Sequence, residues 1–364
     1  MNNIYIFISV FILVQGFLAF IPYMTRKTEN FGVSIPESLY DRIDFKNMRR
    51  NYAIIMLVIL AIITGIIIII AFFASEKTLY IAYIISIFLY LISGFAIYLP
   101  FHQQMKLIKE KENWQKNRQQ RIVIDTQFRN EKLTVSTAWF IIPFLICVLT
   151  LAMTFFLYEQ IPDELPIHTD FSGNVTYEEK SVGTLLMMPG VQFVMVLVFL
   201  FIHYVMNVSK QQVSAENPDV SKQQNIMFRR RWSAFMVATG TLTVMLFFFI
   251  QLTFIYPQLV AYEDIVIFTF VGIILIGTVV LSIMTGQGGS RIKLDKPVDD
   301  TVIDRDDDRH WKLGQIYFNK EDPAIFIEKR FGVGWTNNWA RPMSWIIIGL
   351  IILIACSPLL FLLF

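Results

Sequence analysis

The chain has 364 residues, of which 55% are hydrophobic and only 16% are charged, and its formal net charge at pH 7 is +2. Length alone allows two or three soluble domains. The apolar residues, however, form long blocks instead of alternating with polar residues. Blocks of roughly 20 apolar residues match the thickness of a bilayer's hydrocarbon core. The composition therefore excludes an ordinary soluble protein and predicts an all-α polytopic membrane protein.

Eight apolar segments are long enough to cross a membrane as helices. In chain order they are Ile4–Tyr23, Tyr52–Ala74, Tyr80–Leu99, Ala138–Tyr158, Thr184–Tyr204, Trp232–Tyr256, Ile265–Met284 and Met343–Phe364. The first has no basic n-region and no clear cleavage site, so we interpret it as a retained helix and not as a signal peptide. The predicted parts of the chain are residues 1–137 with three helices, 138–206 with two helices and the loop between them, 207–284 with two helices, 285–342 as a polar loop, and 343–364 as the last helix.

The basic residues predict the orientation of these helices. The loops after the first, third, fifth and seventh helices contain 29 of the 31 Lys and Arg residues. Basic loops stay on the cytosolic side of a membrane. The pattern therefore predicts cytosolic loops at one end and both termini outside.

Four segments of the predicted cytosolic loops are rich in β-branched and aromatic residues, which favour strands. They are Arg121–Phe128, Arg291–Leu294, Gln315–Asn319 and Ala324–Lys329. Together they predict a small β-rich cytosolic patch.

The predicted spans contain no Asp, Glu, Lys or Arg, and their strongest polar residues are Gln15, Gln192 and Gln251. Charged groups inside a membrane are costly and mark ion pathways, so their absence argues against pumps, ion-coupled carriers and intramembrane proteases. Interhelical hydrogen bonds are the expected role of the three glutamines. The chain also lacks a nucleophile–base motif, an HExxH motif and a Cys/His cluster. We predict no enzymatic activity, no cofactor and no bound metal.

Two polar motifs in the last cytosolic loop invite ligand interpretations. The glycine-rich segment 286–291 is reminiscent of a phosphate-binding loop, but it follows the carbonyl end of a helix and lacks a preceding strand. A glycine C-cap and turn is the favoured interpretation. The acidic segment 304–309 lacks the spacing of a calcium-binding loop, and its interspersed arginines favour a solvated charge cluster.

The longest polar loop on the predicted outer face spans Leu165–Lys180. Its candidate ligand-binding residues are Pro166, His168, Asp170, Gly173, Tyr177 and Lys180. Three roles are open for His168: recognition of a ligand, a structural role in a turn set by the neighbouring Pro and Gly residues, or metal binding with nearby carboxylates. A single His is a weak basis for a zinc site.

The same loop carries a resemblance to the extracytoplasmic module of SdpI-type immunity proteins. The residues that carry it are Pro162, Pro166, His168, Gly173, Tyr177 and Lys180, followed by a hydrophobic helix. The chain departs from that pattern at residues 169–171, where Thr, Asp and Phe follow the His. The resemblance implies a bacterial plasma-membrane protein whose outer loop meets a secreted killing peptide. It also implies that the cytosolic loops bind a regulatory protein.

A second resemblance concerns residues 311–342, which are similar to a short C-terminal motif of unknown function in related bacterial membrane proteins. The candidate partner-binding face within it consists of Trp311, Tyr317, Asn319, Asp322, Arg330, Trp335 and Asn338.

Immunity to a secreted peptide, or sensing of one, without catalysis is the leading functional hypothesis. Two alternatives remain: a permease or lipid-handling transporter for a neutral or amphipathic solute, and a membrane scaffold. The expected partners are the lipid bilayer, a secreted peptide and a cytosolic protein, with no direct contact to nucleic acid.

Overall fold

The computed structural model describes residues 2–114, 119–121, 131–169, 175–294, 302–304 and 307–361. Among these residues, six helices are long and apolar enough to cross a membrane. They are α3 (Ile43–Phe73), α4 (Glu76–Glu112), α5 (Ile141–Phe156), α6 (Val182–Val208), α7 (Pro218–Ile255) and α8 (Glu263–Thr285). Their outward-facing apolar side chains, such as Phe73 and Phe156, are exposed to the surroundings of the protein, as expected for contact with lipid. The predicted class, a helical multi-pass membrane protein, is confirmed.

Three further helices complete the helical part that the structure describes. They are α1 (Asn2–Ala19), the short α2 (Ile21–Met24) and α9 (Pro342–Phe361). The parts of α1 and α9 with described side chains, Ile8–Ala19 and Pro342–Ile351, are apolar but shorter than a membrane span. Eight spans with both termini outside therefore stays a prediction.

Helices α3 and α7 begin well before the apolar spans predicted within them. The third helix of the structure begins at Ile43 and α7 begins at Pro218, whereas hydropathy placed these starts at Tyr52 and Trp232. Polar residues extend both helices beyond the apolar core. At α7, Pro218 occupies the first helical position, and the Asn217 side chain accepts a hydrogen bond from the Val220 amide at 3.4 Å. Both features favour the start of a helix.

Antiparallel packing brings four connecting regions to one end of the bundle. We call this end the basic end, and it comprises the described parts of residues 20–42, 113–136, 209–217 and 286–341. The Trp232 indole donates a hydrogen bond to the Thr285 hydroxyl at 3.1 Å, which joins α7 to the end of α8. Arg42, at the N-cap position of α3, pairs with Glu112 in the last turn of α4. The opposite end, formed by residues 157–181 and 256–262, is called the acidic end.

Small two-stranded sheets form at both ends. Those of the basic end among the described residues are β1 (Glu29–Asn30) with β2 (Val33–Ser34), β3 (Gln119–Arg121) with β6 (Val302–Asp304), β7 (Trp311–Lys312) with β8 (Ile316–Tyr317), and β9 (Phe326–Glu328) with β10 (Trp335–Asn337). All are antiparallel except the parallel pair β3–β6. The acidic end has the antiparallel hairpin of β4 (Glu164–Thr169) and β5 (Val175–Glu179).

The strand predictions have mixed outcomes. Strands β8 and β9 lie inside the predicted segments Gln315–Asn319 and Ala324–Lys329, which are confirmed at their centres. Segment Arg291–Leu294 is wrong, because it is a turn in which the Arg291 amide donates to the Thr285 carbonyl at 3.0 Å and closes the end of α8. Only Arg121 of Arg121–Phe128 lies within the described residues, at the end of β3.

Inside the bundle, two of the three glutamines singled out in the sequence link helices, and for Gln15 that role stays a prediction. The Gln192 amide group donates to the Val244 carbonyl at 2.9 Å, and that of Gln251 donates to the Thr154 hydroxyl at 2.9 Å. These bonds join α6 to α7 and α7 to α5, where unpaired polar groups would be costly.

Candidate functional site

Four of the six predicted ligand-binding residues lie on or beside the hairpin at the acidic end. Its register pairs Glu164 with Glu179 and Pro166 with Tyr177, and it shifts between Pro166 and His168, which pairs with Thr176. The candidates Asp170 and Gly173 lie outside the described residues. The structure therefore places Pro166, His168, Tyr177 and Lys180 on or beside one hairpin.

A buried leucine anchors this hairpin on the helix bundle. Leu165 is completely buried and packs with Ile161, with Leu185 near the start of α6, and with Phe254 and Ile255 at the end of α7. Full burial of a leucine side chain stabilises by about 1.5–3 kcal/mol. The hairpin is thus a fixed part of the acidic end.

Lys180 closes the base of the hairpin. Its ammonium donates to the Ile161 carbonyl at 2.8 Å, lies 3.2 Å from an Asp163 carboxylate oxygen, and sits 5.0 Å from the centre of the Tyr158 ring. The positive charge of Lys180 is therefore engaged by groups of the protein itself. Lys180 therefore positions the hairpin in this structure instead of presenting its charge to a ligand.

The described surface of the hairpin is acidic and includes the exposed ring of Tyr177. The side chains of Asp163, Glu164, Glu178 and Glu179 are exposed, that of Asp163 by 96%. Tyr177 is 56% exposed. Among the described residues, β4 and β5 pair only with each other, so each strand has an unpaired edge. An acidic hairpin with open edges can bind an extended cationic peptide by charge and by strand addition.

At the basic end, Glu328 is the centre of a buried hydrogen-bond network. This residue of β9 pairs with Arg26 and with Arg229, whose Nη2 lies 3.3 Å away, and accepts a hydrogen bond from the Asn225 amide at 2.6 Å. Arg229 also donates to the Met206 carbonyl at 2.7 Å. The network joins the C-terminal motif to α6, α7 and the loop after α2.

A second ion-pair network surrounds Arg330. Its guanidinium pairs with Asp307 and Asp308 and donates to the Gly32 carbonyl at 3.3 Å, while Lys109 of α4 lies 2.6 Å from Asp308. Asp307 is 42% exposed, as expected for a solvated charge cluster, whereas Asp308 is 22% exposed and both carboxylates pair with the buried Arg330. Their carboxylates connect the C-terminal motif to α4.

Glu29 lies beside the same network and has a perturbed pKa. Burial is the main cause, and it raises the pKa of this carboxyl to about 7 although Arg330 and Arg26 act in the opposite direction. The Arg330 Nε is 3.9 Å from the Glu29 carboxylate, too far for a hydrogen bond. The negative charge of the buried Glu29 is thus only partly balanced by the neighbouring arginines.

The candidate partner-binding residues are mostly internal to the C-terminal motif. Trp311, Tyr317, Asp322, Arg330 and Asn338 are buried, and Asn319 and Trp335 are half-buried. The Tyr317 hydroxyl donates to Asp322 at 2.8 Å, and Asn338 donates to the carbonyls of Asn319 and Asp322 at 2.8 and 3.1 Å. Burial acts to raise the pKa of Asp322, but hydrogen bonds from Lys210, Ala324 and Tyr317 outweigh it together and lower the pKa below its ordinary value. These side chains hold the motif together, and the partner face stays a prediction.

Sequence reasoning missed the arginines that organise the basic end. Arg49 and Arg229 are almost fully buried, and Arg49 donates to the Tyr40 carbonyl at 2.8 Å and to Asn30 at 3.1 Å. The sequence shows only that each arginine lies within one or two helical turns of an apolar span. Its buried partners are distant in sequence and carry no local pattern.

The comparisons with known proteins match two parts of this architecture. Residues 145–193 match a domain of unknown function (DUF1648), which is common in membrane proteins, and residues 320–345 match a family of unknown function (DUF5808). The first range contains the acidic-end hairpin, and the second contains β9, β10 and the start of α9. No curated protein and no solved structure matches the chain.

Proposed function

We propose that this membrane protein recognises a secreted cationic peptide at its acidic-end hairpin and, without catalysis, protects the cell from that peptide or senses it. The observation that carries the proposal is the hairpin itself, a fixed structure with an exposed acidic surface and two open strand edges. The similarity to the SdpI-type module supports the immunity role. Under this proposal the acidic end faces outward from a bacterial plasma membrane.

Electrostatics supports a cationic ligand. Three carboxylates on the hairpin, those of Glu164, Glu178 and Glu179, are exposed, while the charge of the nearby Lys180 is paired with the exposed carboxylate of Asp163. A surface of one sign attracts ligands of the opposite sign and accelerates their association. The exposed ring of Tyr177 adds an apolar and hydrogen-bonding contact of the kind enriched in binding surfaces.

Strand addition supports an extended peptide as the ligand. The free edge of β4 or β5 offers main-chain donors and acceptors to a partner strand, and side-chain contacts with the carboxylates and Tyr177 then provide specificity. A folded cationic domain would use the same charges but not the strand edge.

Peptide challenge of cells tests the proposal. Cells with and without the gene are exposed to the secreted peptides of the same strain and of its neighbours, both cationic and anionic. We expect deletion to increase sensitivity to, or abolish the response to, at least one cationic peptide, and the wild-type gene to restore it. Unchanged behaviour towards every peptide would remove the proposal.

A further inference from the structure

A cavity of about 260 Å³ lies at the basic end, opposite to the hairpin. Its walls come from the start of α7, the glycine-rich loop after α8, and the segments around Arg26 and Glu37. The volume is large enough for a small polar group with its hydrogen-bond partners. The ligand of such a cavity depends on the charges and donors that line it.

The lining of the cavity is predominantly cationic. Arg26, Lys27, Arg291 and Lys293 line it, against the single carboxylate of Glu37. Lys27 lies 3.7 Å from Glu37, which neutralises one of these charges. Arg26 shares Glu328 with Arg229, so that group of three retains a positive charge.

Arg291 and Lys293 supply the uncompensated charge. Neither forms an ion pair with a carboxylate in the part of the chain that the structure describes. Arg291 is half-buried, so its guanidinium is partly withdrawn from water. A partly buried cation near other cations is costly unless an anion accompanies it.

Hydrogen-bond donors accompany these cations. Residue Ser290 lines the cavity, and its hydroxyl oxygen is buried without a hydrogen-bond partner among the described residues. The Ser221 hydroxyl accepts from the Ser214 amide at 2.9 Å, which leaves its own proton to donate. Helix α7 begins at this wall, where Asn217 and Val220 also line the cavity, and the positive end of its dipole favours an anion.

We infer that this cavity binds a phosphate group, carried either by a soluble small molecule or by a lipid headgroup. The excess of cations, the unpartnered hydroxyl and the helix start together match the recognition of a phosphate. The glycine-rich segment 286–291 follows the carbonyl end of α8, whose C-cap is Gly286, and that end disfavours a phosphate. The structure supplies the start of a different helix, α7, on the other side of that loop.

Phosphate binding to the full-length protein tests this inference. Thermal unfolding of the detergent-purified protein is measured while inorganic phosphate is added at constant ionic strength with chloride, since bound ligand stabilises the folded state. We expect a saturable rise in Tm for the wild type and at least about tenfold weaker phosphate binding for the double variant Arg291→Gln/Lys293→Gln. Lys320→Gln changes an exposed lysine of the basic end outside the cavity and is the matched control.

A lipid arm distinguishes the two sources of phosphate. The protein is placed in phosphatidylcholine nanodiscs with or without phosphatidic acid, in phosphate-free buffer. Stabilisation by phosphatidic acid that the double variant loses assigns a lipid headgroup, and an effect confined to inorganic phosphate assigns a soluble ligand. The inference is overturned if neither probe raises the Tm of the wild type, or if the double variant responds to them as the wild type does.

Discussion

Arg229 and Glu328 form a fully buried ion pair, with 3.3 Å between Nη2 and Oε1, although they lie 99 positions apart in the chain. Arg26 and Asn225 also donate to the Glu328 carboxylate. Removal of two charges from water is costly, so such a pair is stable only when its remaining donors and acceptors are satisfied. The pair fixes the C-terminal motif to α7 in one position.

Loss of the Glu328 charge is expected to destabilise the protein strongly. Glu328→Gln leaves Arg26 and Arg229 buried without their carboxylate, and breaking a buried pair in this way costs about 3–5 kcal/mol. Unfolding of the detergent-purified protein measures the change. Glu321→Gln, at an exposed position of the same motif, is the control and should be close to neutral. Equal stability of the two variants would contradict the role assigned to Glu328.

Glu29 should make stability depend on pH. Its pKa is raised from 4.5 to about 7 in the folded protein, mainly by burial, so the folded state binds more protons than the unfolded state between these values. The contribution of Glu29 to the free energy of unfolding therefore decreases as pH rises through this range, by up to about 3 kcal/mol. The groups that face it are Arg330, Arg26, Asp308 and Glu328.

The variant Glu29→Gln removes this titration. Compared with the wild type, it should gain stability on going from pH 5 to pH 8, as measured by unfolding at several pH values. Glu321→Gln should keep the wild-type pH profile. Parallel profiles for the wild type and Glu29→Gln would show that Glu29 does not titrate in the folded protein as we describe.

Close packing at Gly277 of α8 gives a third prediction. A Cβ atom at this position would lie 2.6 Å from Cε2 of Phe235 in α7, whereas nothing lies within 4 Å of a Cβ at Gly272. Gly277→Val should therefore cost about 1–3 kcal/mol through overpacking. Gly272→Val introduces the same residue in the same helix and should cost less. Similar unfolding free energies for the two variants would argue against a tight α7–α8 contact.

Lys180 should control the local stability of the hairpin. Lys180→Met removes the charged hydrogen bond to the Ile161 carbonyl and the contact with Asp163, a loss of about 1.5–3 kcal/mol. We expect faster amide hydrogen exchange in β4 and β5, by roughly tenfold or more, with little change in the bundle. Glu178→Gln, which alters an exposed strand residue, is the control. Unchanged exchange in Lys180→Met would mean that Leu165 alone anchors the hairpin.

Features that depend on a local pattern, such as the apolar helices, can be predicted from the sequence. Contacts between residues far apart in the chain cannot. Apolar blocks locate α5 and α6, and glutamines within them join neighbouring helices, because the bilayer imposes both requirements. Hydropathy cannot locate the start of α3 at Ile43 or of α7 at Pro218, since the polar first turns lie beyond the apolar core.

The two candidate sites differ in the same way, because one depends on a local pattern and the other on distant contacts. The hairpin is suggested by its polar loop between apolar segments. The burial of Glu328 and the position of the α7 start beside the loop after α8 depend on packing between segments far apart in the chain. No local pattern near Glu328 or Ser290 indicates either arrangement.

The central claim, recognition of a cationic peptide by the hairpin, is tested most directly by binding. A peptide identified by the challenge experiment is titrated onto the protein in nanodiscs at low and high salt. We expect wild-type binding that weakens with salt, as it does for opposite charges at a surface. The variants Tyr177→Ala and Glu178→Gln/Glu179→Gln should each bind at least about tenfold more weakly, while Glu321→Gln should bind as the wild type does. Equal affinity of the wild type and the hairpin variants at both salt concentrations would contradict the claim.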